Sequence, residues 1–354
     1  ACSPLPLDIE VGGTMRSTER STRKKLIGVV VALAFVAAAC GSDDAETTST
    51  DAPSETEAPA DTDAPAESEP AVSEAPADTE SASTDAPADV EEPGLPTRVV
   101  SLSPTHTEIM FAIGAGDLLV AVDQFSNFPA EALDLPNELS GFEPNIEEIA
   151  AFEPDLVLIG GDFNGIGDQL AELGIASWDG PAASTIGDTY AQIEQLGAVT
   201  GRIGEAAELV SSMQARVDAA IASVSAADPP LSIYHEVDNT FYSADSTSFI
   251  GEVYASFGLE NIADRAEGDN FGFPQLNVES IISANPDVIF VPCGNFCTTT
   301  ADEVAARPGW DAIAAVQNGN IVEADEDIAS RWGPRIVEYY EAVAAVIASI
   351  KASV

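Results

Sequence analysis

The sequence predicts an α/β protein of two similar lobes, bridged by a single long α-helix, with a ligand cleft between them. Three observations carry this. First, one pattern occurs twice, 132 positions apart: Asn145-Ile146-Glu147, Ile149 and Pro154-Asp155-Leu156-Val157-Leu158-Ile159, then Asn277-Val278-Glu279, Ile281 and Pro286-Asp287-Val288-Ile289-Phe290-Val291. Second, short apolar runs alternate with helical patterns on both sides of the repeat, which argues for parallel sheets. Third, one long amphipathic stretch lies between the two copies. In each copy Asn caps a short helix and Glu sits in its first turn, where the positive helix end favours it. Pro then stops the helix, and a continuous apolar run reads as a strand covered on both faces. Two lobes imply a cleft, a favoured place for a ligand.

The chain divides by composition. Arg16, Arg20, Arg23, Lys24 and Lys25 precede an apolar run, Leu26 to Ala39, that ends in Ala37-Ala38-Ala39-Cys40-Gly41. A basic segment, about fourteen apolar residues and then small residues make a secretory signal. A comfortable membrane span needs roughly 20 residues. Residues 1–40 are therefore read as the signal, with Met15 as the start. Residues 41–94 hold mostly Asp, Glu, Ala, Pro, Ser and Thr, with no aromatic and no Lys or Arg. Such a segment buries too little apolar surface to offset its ordering entropy and is expected to be a disordered tether. As a coil it would span roughly 40 Å, more with charge repulsion.

The formal charge is −47. Five of the thirteen basic residues lie in the signal segment, which leaves eight for the rest of the chain. Nucleic acid is excluded as a partner by repulsion from its phosphates. The acidity fits a solvated surface, of a kind suited to saline surroundings.

From 95 onward the elements follow in order. Residues 95–202 make the N-terminal lobe. Its first strand is Arg98 to Leu102; Ser103-Pro104-Thr105 opens a helix through Ile113, stopped by Gly114 and Gly116. Strands follow at Leu118 to Val122, Asp155 to Ile159 and Ile175 to Trp178, with a helix at Asp168 to Leu173. Ile203, Ala206, Val210, Met213, Val217, Ala220, Ile221 and Val224 recur at helical spacing, so 203–227 is read as the bridging helix. Residues 228–354 make the C-terminal lobe, from the strand Leu231 to Val237 to the helix Pro334 to Ile350. Each lobe is Rossmann-like.

These elements carry a resemblance. RVVSLSPTHTEIMFAIG, PNIEEIAAFEPDLVLI, SFIGEVYASFGLENIAD, FPQLNVESIISANPDVIFV, RPGWDAIAAVQNGNIV and SRWGPRIVEYYEAV stand in one order across 97–350. They resemble the solute-binding proteins of ABC importers for cobalamin, ferric siderophores and haem, in which one long helix joins two α/β lobes. The resemblance implies a monomer that captures a metal chelate, with a corrinoid favoured over a ferric siderophore and haem. It implies no catalysis and no resident cofactor. Cys40 resembles the lipidated cysteine of a bacterial lipobox, although Ala37 stands where leucine is commonest. That places the protein outside the cytoplasm, anchored to the cell membrane.

The resemblance also assigns residues. Glu147 and Glu279 match the glutamates that dock on permease arginines in the cobalamin-binding member; capping and solvation alone also account for them. Phe125 and Phe128 fall in an aromatic-rich loop, Phe142 near a cleft tryptophan, and Phe163 after the strand end at Gly160-Gly161. Tyr242, Phe273 in Phe273-Pro274-Gln275 and Trp332 in the Arg331 to Arg335 segment are matched in the second lobe. Each aromatic suits a large flat chelate, and equally a packed core. Arg331 and Arg335 could meet ligand anions or form pairs inside their own lobe.

His106 is expected to face the cleft, and His235 lies in a strand. Two isolated histidines make no metal site, although either could be an axial ligand of haem iron. Cys293 and Cys297 follow an apolar strand, and in an exported chain they are read as a disulfide at the cleft edge. No nucleophile elbow, phosphate loop or zinc-protease helix is present. A surface sensor built on the same lobes is the remaining alternative, ahead of an exported metal-dependent hydrolase.

Overall fold

The computed structural model describes residues 94–227, 229–268, 270–292 and 299–353. The expected signal, nearly all of the tether, Cys40 and the Cys293/Cys297 pair lie outside them. Strands β1 (Val99–Ser101), β2 (Leu119–Val122), β3 (Leu156–Ile159) and β4 (Ala176–Asp179) form a parallel sheet of order β2-β1-β3-β4. Around it lie α1 (Pro104–Ala112), α2 (Ile146–Ala150), α3 (Ile166–Glu172) and α4 (Ile186–Thr200), followed by α5 (Ile203–Ala222). Strands β5 (Ser232–His235), β6 (Glu260–Asn261), β7 (Val288–Pro292) and β8 (Ile321–Ala324) repeat the order as β6-β5-β7-β8, again all parallel. Their helices are α6 (Phe249–Ser256), α7 (Val278–Ala284), α8 (Ala301–Ala305), α9 (Ala314–Asn318), α10 (Glu326–Ser330) and α11 (Ile336–Ser353).

The sequence repeat is a structural repeat down to single hydrogen bonds. Asn145 accepts from the backbone N–H of Glu147, and Asn277 from that of Ser280. Glu153 and Asn285, just before the two prolines, both hold left-handed backbone, with φ of 50° and 51°. That conformation, uncommon for non-glycine residues, turns each chain from helix into strand. Asp155 then accepts from the N–H groups of Thr97 and Arg98, at 2.8 and 3.0 Å, where the chain enters β1. Asp287 accepts from Ser232 N–H at 2.8 Å at the start of β5. Burial alone would raise the Asp155 carboxyl, but the donors from Thr97 and Arg98 reverse this and hold it below its ordinary value. The Pro-Asp pair therefore ends a helix and pins the neighbouring strand.

Side-chain alternation explains why these strands are apolar throughout. Successive residues point to opposite faces. Val99, Leu156 and Leu158 face one core, while Val100, Val157 and Ile159 face another that belongs to the first lobe. In the second lobe Ile233, Val288 and Phe290 face the same first core, and Tyr234, Ile289 and Val291 face a core of their own. The shared core is continuous from one lobe to the other. It takes in Ile193 of α4, Val210, Met213 and Val217 of α5, Tyr254 of α6 and Tyr340 and Ile347 of α11.

The chain passes from the first sheet to the second once, through α4 and α5. Helix α5 ends at Ala222, not at 227, with Ser223 as its C-cap: its N–H reaches the Ala219 and Ala220 carbonyls and its hydroxyl donates to Ala220. At 1.5 Å per residue it is about 30 Å long. Helix α4 was not expected from the sequence; a Thr185/Asp188 capping box starts it, and Gly201, at φ 71°, ends it. The C-terminal helix starts at Ile336 rather than Pro334. Among the described residues no helix is long and apolar enough to cross a membrane.

Candidate functional site

A cavity of about 480 Å³ opens at the C-terminal ends of β1 and β3, where open parallel sheets place their ligands. One side is the first lobe: Leu102 to Thr105, Asp123 and Phe125, Gly141 and Phe142, and the turn from Ile159 to Phe163. The other side is the second lobe, through Glu326, Asp327, Ser330, Arg331 and Trp332. The loop at Gly141 lies directly on the end of β1: a Cβ there would stand 2.4 Å from the Leu102 carbonyl oxygen, so only glycine fits. Phe125 and Phe142 meet edge to face at 5.8 Å. Phe142 is 76% exposed and Phe163 87%, large apolar rings left without cover. A second depression, about 440 Å³, lies around Arg265, Asn277 and Ser280 and is lined by no aromatic residue.

Of the aromatics singled out in the sequence, Phe125, Phe142, Phe163 and Trp332 line the cavity. Tyr242 and Phe273 do not; they sit in the second lobe beside the bridge from Tyr242 to Gln275, each less than half exposed. Phe128 lies under Arg335, whose guanidinium carbon is 4.2 Å from the ring centre.

His106 does not face the cleft. Ser103, Pro104 and Thr105 line the cavity at the first turn of α1, and the next side chain points inward. The imidazole is fully buried, with Nε2 3.3 Å from Gln192 Oε1 and its ring 4.9 Å from Trp178. Burial lowers its pKa to about 4, against the opposing hydrogen bond from Gln192. His235 is also buried and lowered to about 4 by desolvation; its Nδ1 meets Tyr254 Oη at 2.7 Å, and that hydroxyl meets Tyr339. Neither histidine lines the 480 Å³ cavity, so neither is placed as an axial ligand.

Arg331 pairs with Asp327 inside its own lobe, and both Arg331 and Arg335 also pair across the cleft. Both reach across to Glu108 of α1. Arg331 donates to Glu108 Oε1 at 2.8 Å, and Arg335 donates to Oε2 at 2.9 Å and Oε1 at 2.7 Å. Arg331 also donates to Asn127 Oδ1, the Phe125 carbonyl and Asp327. Asn127 closes the ring by donating to Asp327 at 2.7 Å. Nearby, Trp332 Nε1 donates to Gln192 at 3.1 Å, and Ile186 N–H donates to Glu252 of α6 at 2.6 Å. The lobes are joined by charge-assisted hydrogen bonds as well as by the shared core. Glu108 was not singled out in the sequence. The signal was there: the single charged residue of α1, followed directly by Ile109-Met110-Phe111.

Glu147 and Glu279 each occupy the second position of a capped helix, α2 and α7, and both are exposed. Among the described residues no three His, Cys, Asp or Glu side chains gather to hold a metal.

The periplasmic binding protein family matches residues 99–328. An uncharacterized ABC transporter substrate-binding lipoprotein of Bacillus subtilis, YvrC, is 30% identical over 70% of this chain and 79% of its own. A cobalamin-binding protein of Halobacterium salinarum is 31% identical over 69% of this chain and 67% of its own. Among solved structures, the periplasmic haem-binding protein HutB of Vibrio cholerae superposes with a TM-score of 0.62 at 25% identity, covering 71% of this chain and 98% of that one. The family match spans most of the two lobes, two relatives of at least 30% identity are covered over two thirds of their length, and this chain belongs to the periplasmic binding protein family.

Proposed function

We propose that this protein is the extracytoplasmic solute-binding component of an ABC importer, and that it captures a metal chelate, a corrinoid before a ferric siderophore or haem. The observation that carries the reading is the aromatic wall of the 480 Å³ cavity, where Phe125, Phe142, Phe163 and Trp332 leave apolar faces for a large flat ligand. A cobalamin binder and a haem binder among the similar proteins support the class. In this reading Cys40 carries a lipid, residues 41–94 tether the domain, and Glu147 and Glu279 dock on permease arginines.

The visible spectrum of natively purified protein tests the ligand, because corrinoid, haem and ferric siderophore absorb differently. Calorimetry with cobalamin tests the leading choice, and no binding at micromolar concentration removes it. Docking is tested by Glu147→Lys and Glu279→Lys. Both are expected to keep ligand affinity within a factor of a few and to lose uptake, since an arginine partner would then meet a like charge. Cys40→Ser is expected to release the protein from membranes.

A further inference from the structure

The walls of the cleft differ in charge from what its arginines suggest. Arg331 is the only Lys or Arg among the lining residues, and its two terminal nitrogens are already donated to Glu108, Asn127, the Phe125 carbonyl and Asp327. Arg335, behind it, is held by both oxygens of Glu108. The Glu108 carboxylate is buried, 2% exposed, and it is reached by no other Lys or Arg. The remaining charged side chains on the lining are acids: Asp123, Glu326 and Asp327. Asp123 is 1% exposed and Asp327 is itself committed to Arg331, whereas Glu326 is exposed on the rim.

We infer that Glu108 determines ligand charge: by engaging Arg331 on the lining and Arg335 behind it, Glu108 leaves the cavity with acceptors and no uncommitted cation, so the site selects neutral or cationic, amide-bearing chelates and rejects chelates that carry carboxylates. This rests on the chelate-binding reading above and narrows it. An incoming carboxylate would lose its water and find Glu326 on the rim, with the buried Asp123 behind the wall, in place of a free guanidinium. Peripheral amide N–H groups would find Glu326 as an acceptor. Like-charge juxtaposition in a partly desolvated site is a strong discriminator between otherwise similar ligands.

The test holds the scaffold constant and changes its charge. Full-length protein is titrated with cyanocobalamin, whose peripheral groups are amides, and with a cobalamin monocarboxylate in which one such amide is hydrolysed. The expected result is binding of the amide form about tenfold tighter at low salt, with the ratio shrinking as salt screens the repulsion. Glu108→Gln, which keeps the shape and leaves Arg335 without its counter-charge and Arg331 with Asp327 alone, is expected to bring the ratio to within about twofold. Glu326→Gln lies on the exposed rim, does not touch the buried pairs and is expected to narrow the ratio in the same direction. It keeps the proposal falsifiable if Glu108→Gln does not fold. Equal affinity of the wild-type protein for the two forms, or a ratio that neither salt nor Glu326→Gln moves, overturns the inference while leaving the chelate reading in place. Binding of neither form, with haem and ferric hydroxamate equally inert, overturns the chelate reading itself and this inference with it.

Discussion

The two lobes have one topology, but the cavities at their strand ends are unequal, about 480 Å³ in the first and about 50 Å³ in the second. The pairing of β1 with β3 and of β5 with β7 places Leu102 and Glu236 in equivalent positions: each donates its N–H, at 2.9 Å, to the matching carbonyl, Leu158 in one lobe and Phe290 in the other. Leu102 lines the cavity. Glu236 is fully buried and bound at both oxygens by Arg307, at 2.6 and 2.7 Å, and Arg307 lies over Trp310 and Phe241. At its own strand ends the second lobe leaves only a small hollow, lined by His235, Pro292 and Ala324. It contributes to the large cavity through one late segment, Glu326 to Trp332. A repeated fold thus yields an asymmetric site, because equivalent positions such as Leu102 and Glu236 carry different side chains.

The largest effects are expected where a buried ion pair is broken. Glu236→Ala strands Arg307 inside the second lobe, and Glu108→Ala strands Arg331 and Arg335 between the lobes. Each is expected to cost about 3–5 kcal/mol, read by denaturant unfolding. The comparison sharpens if only Glu108→Ala also alters the overall dimensions in X-ray scattering, since only that pair spans the lobes. Equal scattering changes in both variants would break it.

Acid should act next, and on both lobes. His106 and His235 are held neutral, with pKa values lowered from 6.5 to about 4. Between those values the unfolded chain binds the proton and the folded chain does not. Stability is therefore full above about pH 6.5 and is lost as pH falls toward 4, by on the order of 3 kcal/mol for each histidine. Unfolding free energies measured across that interval check the slope. Replacing one histidine by Gln is expected to halve it, with His106 reporting on the first lobe and His235 on the second.

Ligand capture should divide between the lobes in the same way as the cavity. Phe142→Ala and Trp332→Ala are expected to weaken binding by about 1–3 kcal/mol, whereas Tyr242→Ala and Phe273→Ala should leave it within about threefold. Calorimetry with the captured chelate distinguishes them, and a loss at Tyr242 or Phe273 as large as at Phe142 would extend the site beyond the Glu326 to Trp332 segment of the second lobe. The smallest effect tests the symmetry itself. Asn145→Ala and Asn277→Ala remove equivalent helix caps and should each cost about 1 kcal/mol, with no change in affinity.

Much of the fold was legible because it rests on local physics. Apolar runs after Pro154-Asp155 and Pro286-Asp287, capping asparagines and the spacing of Val210, Met213 and Val217 report strand, helix start and helix face directly in the chain. Helix α4 was less visible, since Gly197 and Thr200 interrupt its apolar face and only tertiary packing against α5 buries them. The cleft aromatics Phe142 and Phe163 were legible from the resemblance. Their division from Tyr242 and Phe273 was not, because residues alike in chemistry differ here only in which strand end they face.

The sequence by itself determined the two-lobed α/β architecture, its repeat and its family, since each depends on contacts between near neighbours or on patterns that period and spacing encode. Only the tertiary structure decided the charge of the cleft. Glu108 and Arg331 are 223 residues apart, and their meeting turns two arginines that the chain presents as ligand contacts into a closed pair. Only the tertiary structure likewise withdrew His106 behind Trp178, because helix geometry fixes which side chains share a face but not what that face packs against.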